Sequence, residues 1–221
     1  MRGYPLYLLG RLGQFVLVVF IGINISFIVT HSTPIDPVEQ TIAAATQFGS
    51  TSPEAIAMMR QIADITGTMD RARPIIEDAQ QALNAANAAN EKRQPLRTFC
   101  PIWRRPWMTV GPNTYVHDFL LACGAINIFA DRHDRYPRAD LDEVARRIPE
   151  VILLPSDPYP FGPKHLREFT QYAHIPAVRD NRIYLVDGKH VCWYGPRIGP
   201  GLRFVQGILW EGDSQPAAPS P

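Results

Sequence analysis

The sequence predicts an α/β protein: one N-terminal transmembrane helix, a long helix of backbone type, and a single lobe built on a parallel sheet. Three observations carry this. Short apolar strand patterns alternate with amphipathic helix patterns between residues 96 and 210, the signature of strands joined by helical crossovers. A continuous helical pattern with a narrow stripe of small apolar residues occupies Met69–Asn90. Leu12–Val29 is a run of eighteen residues without a charge, the lower end of the length that spans a bilayer.

The run Leu12–Val29 is interrupted only by Gly13, Gln14, Gly22, Asn24 and Ser26. Arg2 and Arg11 precede it, whereas His31, Asp36 and Glu39 follow it. That bias places the N-terminus in the cytoplasm and everything after residue 30 outside, a single-pass protein of the inner membrane. The run ends in Thr30-His31-Ser32-Thr33-Pro34 with no small-x-small site, so it reads as an uncleaved anchor over residues 1–31 rather than a signal peptide. Residues 32–60 form a polar, turn-rich linker with a short helical candidate at 38–46.

Ser52-Pro53-Glu54 supplies a cap, a first-turn proline and an acid, and opens a helix through Ile65 that Gly67 breaks. Within the connecting region 61–95, Ala72, Ile76, Ala79, Leu83 and Ala86 trace one face of the long helix. No heptad is sustained, so this helix packs alongside the sheet instead of forming a coiled-coil arm. The lobe is expected over 96–210. Leu96–Cys100 reads as its first strand, followed by a loop holding Trp103, Arg104, Arg105 and Trp107. Val116, Phe119, Leu120 and Cys123 mark a helix face that Gly124 ends. Asp140 with Glu143 three residues on has the form of a capping box opening a second helix. Val151–Leu154 reads as a strand buried on both sides. Then come the loop Pro155–Phe161, a helix over 163–172, a short edge strand over His174–Val178, a strand over Arg182–Val186, a loop over Val191–Arg197 and a last helix over Ile198–Leu209. Residues 211–221 have the composition of a disordered tail.

Charge and cysteines exclude several functions. With 22 Lys and Arg against 21 Asp and Glu the net charge is +1, so nucleic acid is not an implied partner. Cys100, Cys123 and Cys192 show no C-x-x-C spacing; they read as small buried thiols, with pairing of two in an oxidising compartment as the alternative. No G-x-S-x-G elbow, Gly-rich phosphate loop or H-E-x-x-H occurs. His117 and Asp118 are neighbours on a helix and face different ways. His133 and Asp134 have no partner at ligand spacing, and Asp131, Asp134, Asp140 and Asp142 lack metal-loop spacing. No enzyme, metal site or cofactor is predicted.

Binding is better supported. Three strands are each followed by a loop with large aromatics: Trp103 and Trp107, Tyr159 and Phe161, Trp193 and Tyr194. In open parallel sheets, ligands sit beyond the carboxyl ends of the strands. Aromatic walls with a few polar groups suit a bulky, partly apolar ligand, and Arg104, Arg105 and Arg197 could meet its carboxylates or phosphates. The alternative is that these rings only plug the sheet edge.

From about Ile62 to Leu209 the chain resembles the C-terminal portion of a periplasmic substrate-binding protein of the helical-backbone metal-receptor type. That family serves ABC importers of cobalamin, haem and ferric siderophores. The resemblance rests on Thr66-Gly67 with the helix to Asn90, Leu96–Cys100, and Cys123-Gly124-Ala125-Ile126-Asn127-Ile128-Phe129. It continues through Tyr136-Pro137, Leu141–Pro149, Glu150-Val151-Ile152 and the late loop to Pro196-Arg197. It implies half of a two-lobe receptor that traps a corrinoid or iron chelate between aromatic side chains. Trp103, Arg104, Trp107, Tyr159, Trp193, Tyr194 and Arg197 would be this lobe's ligand-binding share. It also implies ABC permease subunits as partners, reached through an acidic residue on each lobe; the late loop 192–197 offers none. Residues 1–60 resemble instead the start of a dipeptide/oligopeptide ABC permease, in the first span, Thr33-Pro34-Ile35-Asp36-Pro37-Val38 and Ser52-Pro53-Glu54-Ala55-Ile56, with a seam near 57–62. The implied function is the membrane-anchored binding component of a cobalamin or ferric-chelate importer. The alternatives are a truncated permease fragment and a non-binding lobe that needs a partner chain.

Overall fold

The computed structural model describes residues 11–15, 17–21, 24 and 52–211. The chain divides into two compact units, Met1–Ala45 and Thr46–Pro221. In the first, residues 11–15 and 17–21 are helical, and Leu12, Phe15, Leu17, Val18, Val19, Phe20 and Ile21 are exposed. Among the described residues no helix is long and apolar enough to cross a membrane. The remainder of the expected span, at 16, 22–23 and 25–29, lies outside them, as do the helical candidate at 38–46 and the tail from 212.

The second unit is a three-layer α/β/α lobe. β1 (Leu96–Phe99) runs into a hairpin of β2 (Pro101–Trp103) and β3 (Met108–Thr109), and the chain rejoins the sheet as β4 (Ala125–Asn127), β5 (Val151–Pro155) and β6 (Ile183–Val186). The four sheet strands are parallel, in the order β4-β1-β5-β6. α1 (Ser52–Thr66) and α2 (Met69–Asn90) precede the sheet, and α3 (Tyr115–Ala122) joins the hairpin to β4. α4 (Leu141–Arg146), α5 (Pro163–Leu166) and α6 (Pro176–Arg179) lie between β4 and β6; α7 (Gly188–Cys192) and α8 (Ile198–Trp210) follow β6.

β5 shows why the layers are needed. All five of its residues are buried, so both faces of the sheet must be covered. Val151 and Leu153 join a core with residues of α1, α2, α3 and α8, such as Ile56, Leu83, Phe119 and Leu202. Ile152 and Leu154, pointing the other way, join Phe99, Phe129, Val144, Phe161, Phe169 and Ala177. α2 is no coiled-coil arm. Its buried Ile76, Ala79, Ala82, Leu83 and Ala86 lie in the helical layer against α1 and α8. The small side chains, with Gly199 on α8, where a Cβ would meet Asp78 and Ala79 of α2, let the two helix backbones approach closely.

Four expectations are corrected, and one further strand is found. The aromatic loop after β1 is a hairpin, in which Pro101 and Trp103 pair antiparallel with Thr109 and Met108. Thr109 donates from its hydroxyl to the Cys100 carbonyl (2.7 Å) and from its amide to the Pro137 carbonyl (3.0 Å). Ala125–Asn127 is a strand paired to β1, too short to show a period. The edge strand expected at 174–178 is instead the entry to α6, where Pro176 takes a first-turn position and has no N–H to give a sheet. The capping box at Asp140 forms only by half. Asp140 accepts from the Asp142 amide (3.2 Å), while the Glu143 carboxylate turns to Arg132 and Arg147. Part of the loop at 191–197 is helical, in α7 and a 3-10 turn at Gly195–Arg197.

Gly124 ends α3 with φ +83°, and a Cβ there would lie 2.5 Å from Asn90 Oδ1 and 3.0 Å from the Trp210 ring. Asn90 and Trp210 themselves fasten α2 and α8 to this turn, donating to the carbonyls of Ala122 (2.9 Å) and Cys123 (3.1 Å). Gly124→Ala combines a left-handed backbone with overpacking, and chemical denaturation should show a loss of about 2 kcal/mol or more.

Candidate functional site

From β1 the chain goes first to β4 on one side, then across to β5 on the other. The carboxyl ends of β1 and β5 therefore flank a topological switch point, where the outgoing loops diverge and leave a crevice. The hairpin leaves β1 there, and Ser156–Gly162 leaves β5 beside it. The segment after β6 is the third neighbour.

Aromatic rings fill the base of this crevice. Trp107 stacks on Phe161 (5.6 Å between centroids, 15°) and meets Phe169 edge-on (5.8 Å). Tyr159 lies 4.7 Å from Phe161 and 5.5 Å from His165. His165 is fully buried, and its Nδ1 accepts the Gly162 amide (2.9 Å). The neutral ring thus carries its proton on Nε2, 3.4 Å from the Tyr159 hydroxyl. Burial, then the nearby Lys164 and Arg104, hold this imidazole below its usual range. Arg104 is engaged from the other side, its Nε 2.7 Å from Glu168. Trp107 and Arg104 accordingly belong to a plug beneath the site, each already occupied by protein groups.

The rim is different. Trp103 is 45% exposed and touches Tyr159 edge-on at 5.6 Å, joining the first loop to the second. Trp193 and Tyr194 are 47% and 52% exposed, and Tyr194 leans on the buried Tyr115 (5.6 Å). Arg197 lies over the Trp193 ring at 5.8 Å. Asp157 latches the second loop to the third. Its Oδ2 accepts the Trp193 indole N–H (2.8 Å), and its carbonyl accepts the Cys192 thiol (3.1 Å). Gly188 makes this latch fit, since a Cβ there would lie 2.5 Å from the Asp157 nitrogen. The three loops expected to gather at one edge therefore do so. Asp157, His165 and Tyr115 complete the arrangement. Only the Asp157-Pro158 pair carried a turn signal; the other two gave none.

The remaining candidates are structural. His117 Nδ1 lies 3.2 Å from the Asn127 amide nitrogen on β4, and burial lowers its pKa. Burial and then Glu54 push Asp118 up to about 6. All three cysteines are free thiols, and burial raises each of them. Asp131 pairs with Arg147 (2.7 Å) rather than facing an empty coordination site, and among the described residues no metal-holding cluster occurs.

The sequence model for periplasmic binding proteins matches residues 26–189. The chain belongs to the periplasmic binding protein family. That family is one of ligand-binding proteins. The match begins ahead of the seam expected near 57–62 and takes in part of the permease-like stretch. A vitamin B12-binding protein of Pectobacterium atrosepticum is 30% identical over 103 residues, 44% of this chain and 37% of that one. The chain thus spans well under half the length of that curated relative. The structure of the periplasmic vitamin B12-binding protein of Vibrio cholerae superposes with a TM-score of 0.62 at 19% identity, covering 75% of this chain and 64% of that one. The periplasmic haem-binding protein of Vibrio cholerae gives 0.62 at 22% identity, covering 73% and 65%. These likenesses establish the fold.

The buried neutral His165 has a signature in pH. Its folded pKa is depressed, so below about pH 6.5 the unfolded chain binds more protons than the native lobe. Its contribution is fully present above that pH and falls as pH drops toward the folded value. Asp118 acts with the opposite sign between its ordinary range and about 6. Comparing wild type with His165→Gln removes that shared contribution. Denaturation at pH 7.5 and 5.5 should show wild type losing more stability on acidification than the variant.

Proposed function

We propose that the chain is the ligand-binding lobe of an extracytoplasmic component of an ABC importer for bulky metal chelates of the cobalamin, haem or ferric-siderophore class. Residues 12–29 hold it at the inner membrane, and its partners are the importer's permease subunits. The observation that carries this reading is the meeting of three aromatic loops at the β1/β5 switch point, with Trp103, Trp193 and Tyr194 at the mouth and a closed plug beneath that Tyr159 joins to Trp103. Half-exposed rings held edge-on by their neighbours are rigid and amphipathic. They present apolar area to a large flat or globular chelate with little side-chain ordering on binding. The vitamin B12- and haem-binding relatives support the ligand class.

The exposure of the rim also favours a second reading, in which the lobe needs a partner chain to supply the opposite wall. Titration of the full chain in detergent with cyanocobalamin, a ferric hydroxamate and haem separates the two. The receptor reading expects saturable binding, weakened roughly tenfold or more by Trp103→Ala or Trp193→Ala. A folded chain that binds none of the three is a partner-dependent lobe.

The anchor has its own test. The exposed apolar helical residues between Leu12 and Ile21 suit a lipid-facing segment. Removing residues 1–30 should move the protein from the detergent-released membrane fraction to the soluble extract. Retention of the truncated form in membranes would place the anchor elsewhere.

A further inference from the structure

Positive charge at the mouth is unevenly distributed. On the hairpin side Arg104 is neutralised by Glu168 at 2.7 Å. On the opposite side two cations lie near Trp193, with Lys189 Nζ 5.9 Å and Arg197 Cζ 5.8 Å from its ring centroid. Both are exposed, and among the described residues neither makes an ion pair. The acid fastened to this ring is Asp157, and one of its carboxylate oxygens is committed to the indole N–H. Asp187, on the same turn, accepts the Lys189 backbone amide (2.9 Å) as the cap of α7. The backbone sets both cations: α7 begins at Gly188 against Asp157, and Gly195 at φ +73° turns the chain ahead of Arg197, which lies over Trp193.

We infer that Lys189 and Arg197, set around Trp193, select ligands bearing peripheral carboxylates or comparable anionic groups over neutral chelates of similar size. The inference rests on the receptor reading above and specifies the substrate class at its site. A large ligand laid on Trp193 strips water from both cations. An anionic substituent replaces that water with charge-assisted hydrogen bonds, two-pronged at Arg197. A neutral periphery leaves the cations desolvated without compensation. The same rings thus admit both kinds of chelate by shape and separate them by charge.

Ferric protoporphyrin IX, with two carboxylates, and its dimethyl ester share one ring system, and the ester replaces both peripheral charges with small neutral groups. Both are titrated against the full chain, alongside cyanocobalamin and a ferric hydroxamate, with wild type and with Lys189→Gln/Arg197→Gln. Circular dichroism checks that the doubly substituted chain is folded. The dicarboxylate should bind wild type roughly tenfold tighter than the ester, with the gap narrowing in the double variant and at high salt. Equal binding of acid and ester, or a gap that survives the double substitution, overturns the charge selection and leaves the receptor reading standing. So does binding of cyanocobalamin or the hydroxamate with both porphyrins silent. Silence toward the whole panel overturns both.

Discussion

The structure depends on burying a parallel sheet on both faces. β5 has no exposed residue, and parallel neighbours cannot be joined by tight turns, so each strand must leave the sheet and return through a helical layer. Two consequences follow together. The crossovers supply the covering layers that the apolar faces of Val151–Leu154 require. They also send every post-strand loop out at the same edge. Because β4 and β5 lie on opposite sides of β1, the loops after β1 and β5 part company, and the crevice between them is produced by connectivity before any side chain is chosen.

Side chains then decide what the crevice becomes. A gap at a sheet edge floored with backbone polar groups would be wet. Here Trp107, Phe161, Phe169 and His165 close it, and the one polar ring among them has a partner at each nitrogen, Gly162 and Tyr159. The floor is consequently stiff and neutral. Each rim ring is held by a directed contact of its own: Trp103 on Tyr159, Trp193 on Asp157 and Tyr194 on Tyr115. Each rim ring therefore keeps an open surface while losing most of its freedom, which is the combination that recognition of a large ligand needs.

Much of this was legible in the sequence, and the parts that were not share a cause. α2 was readable to its ends because twenty-two residues give several turns of periodicity, and Gly67 and Gly124 marked breaks through their positive φ. β5 declared itself as an unbroken apolar run. The hairpin, β4 and α6 span two to four residues each, less than one informative period, and pairing partners distant in sequence determine them. At the site, the aromatics announced the three loops, but nothing local separates Trp107, stacked under the floor, from Trp103, open on the rim. That distinction lies in Phe161 and Phe169, more than fifty residues away. The Asp157 latch was hidden for the same reason, since its partners Gly188, Cys192 and Trp193 follow the next strand.

The division into floor and rim also bears on what the lobe can achieve as one wall. A ligand resting on Trp103, Trp193 and Tyr194 covers surface that is about half exposed already, so only the face turned to the lobe leaves water. Sites that bind drug-sized or larger ligands tightly bury most of the ligand's surface. Rigid rim rings compensate in part, because less ordering opposes binding, and cations left without carboxylate partners add directional contacts at the edge. Neither replaces a second wall. Whichever element supplies that wall, it closes over rings whose positions are already set by Tyr159, Asp157 and Tyr115. Closure can then proceed without rearranging the core, and on the proposed reading the charges beside Trp193 already sort ligands when the first face docks.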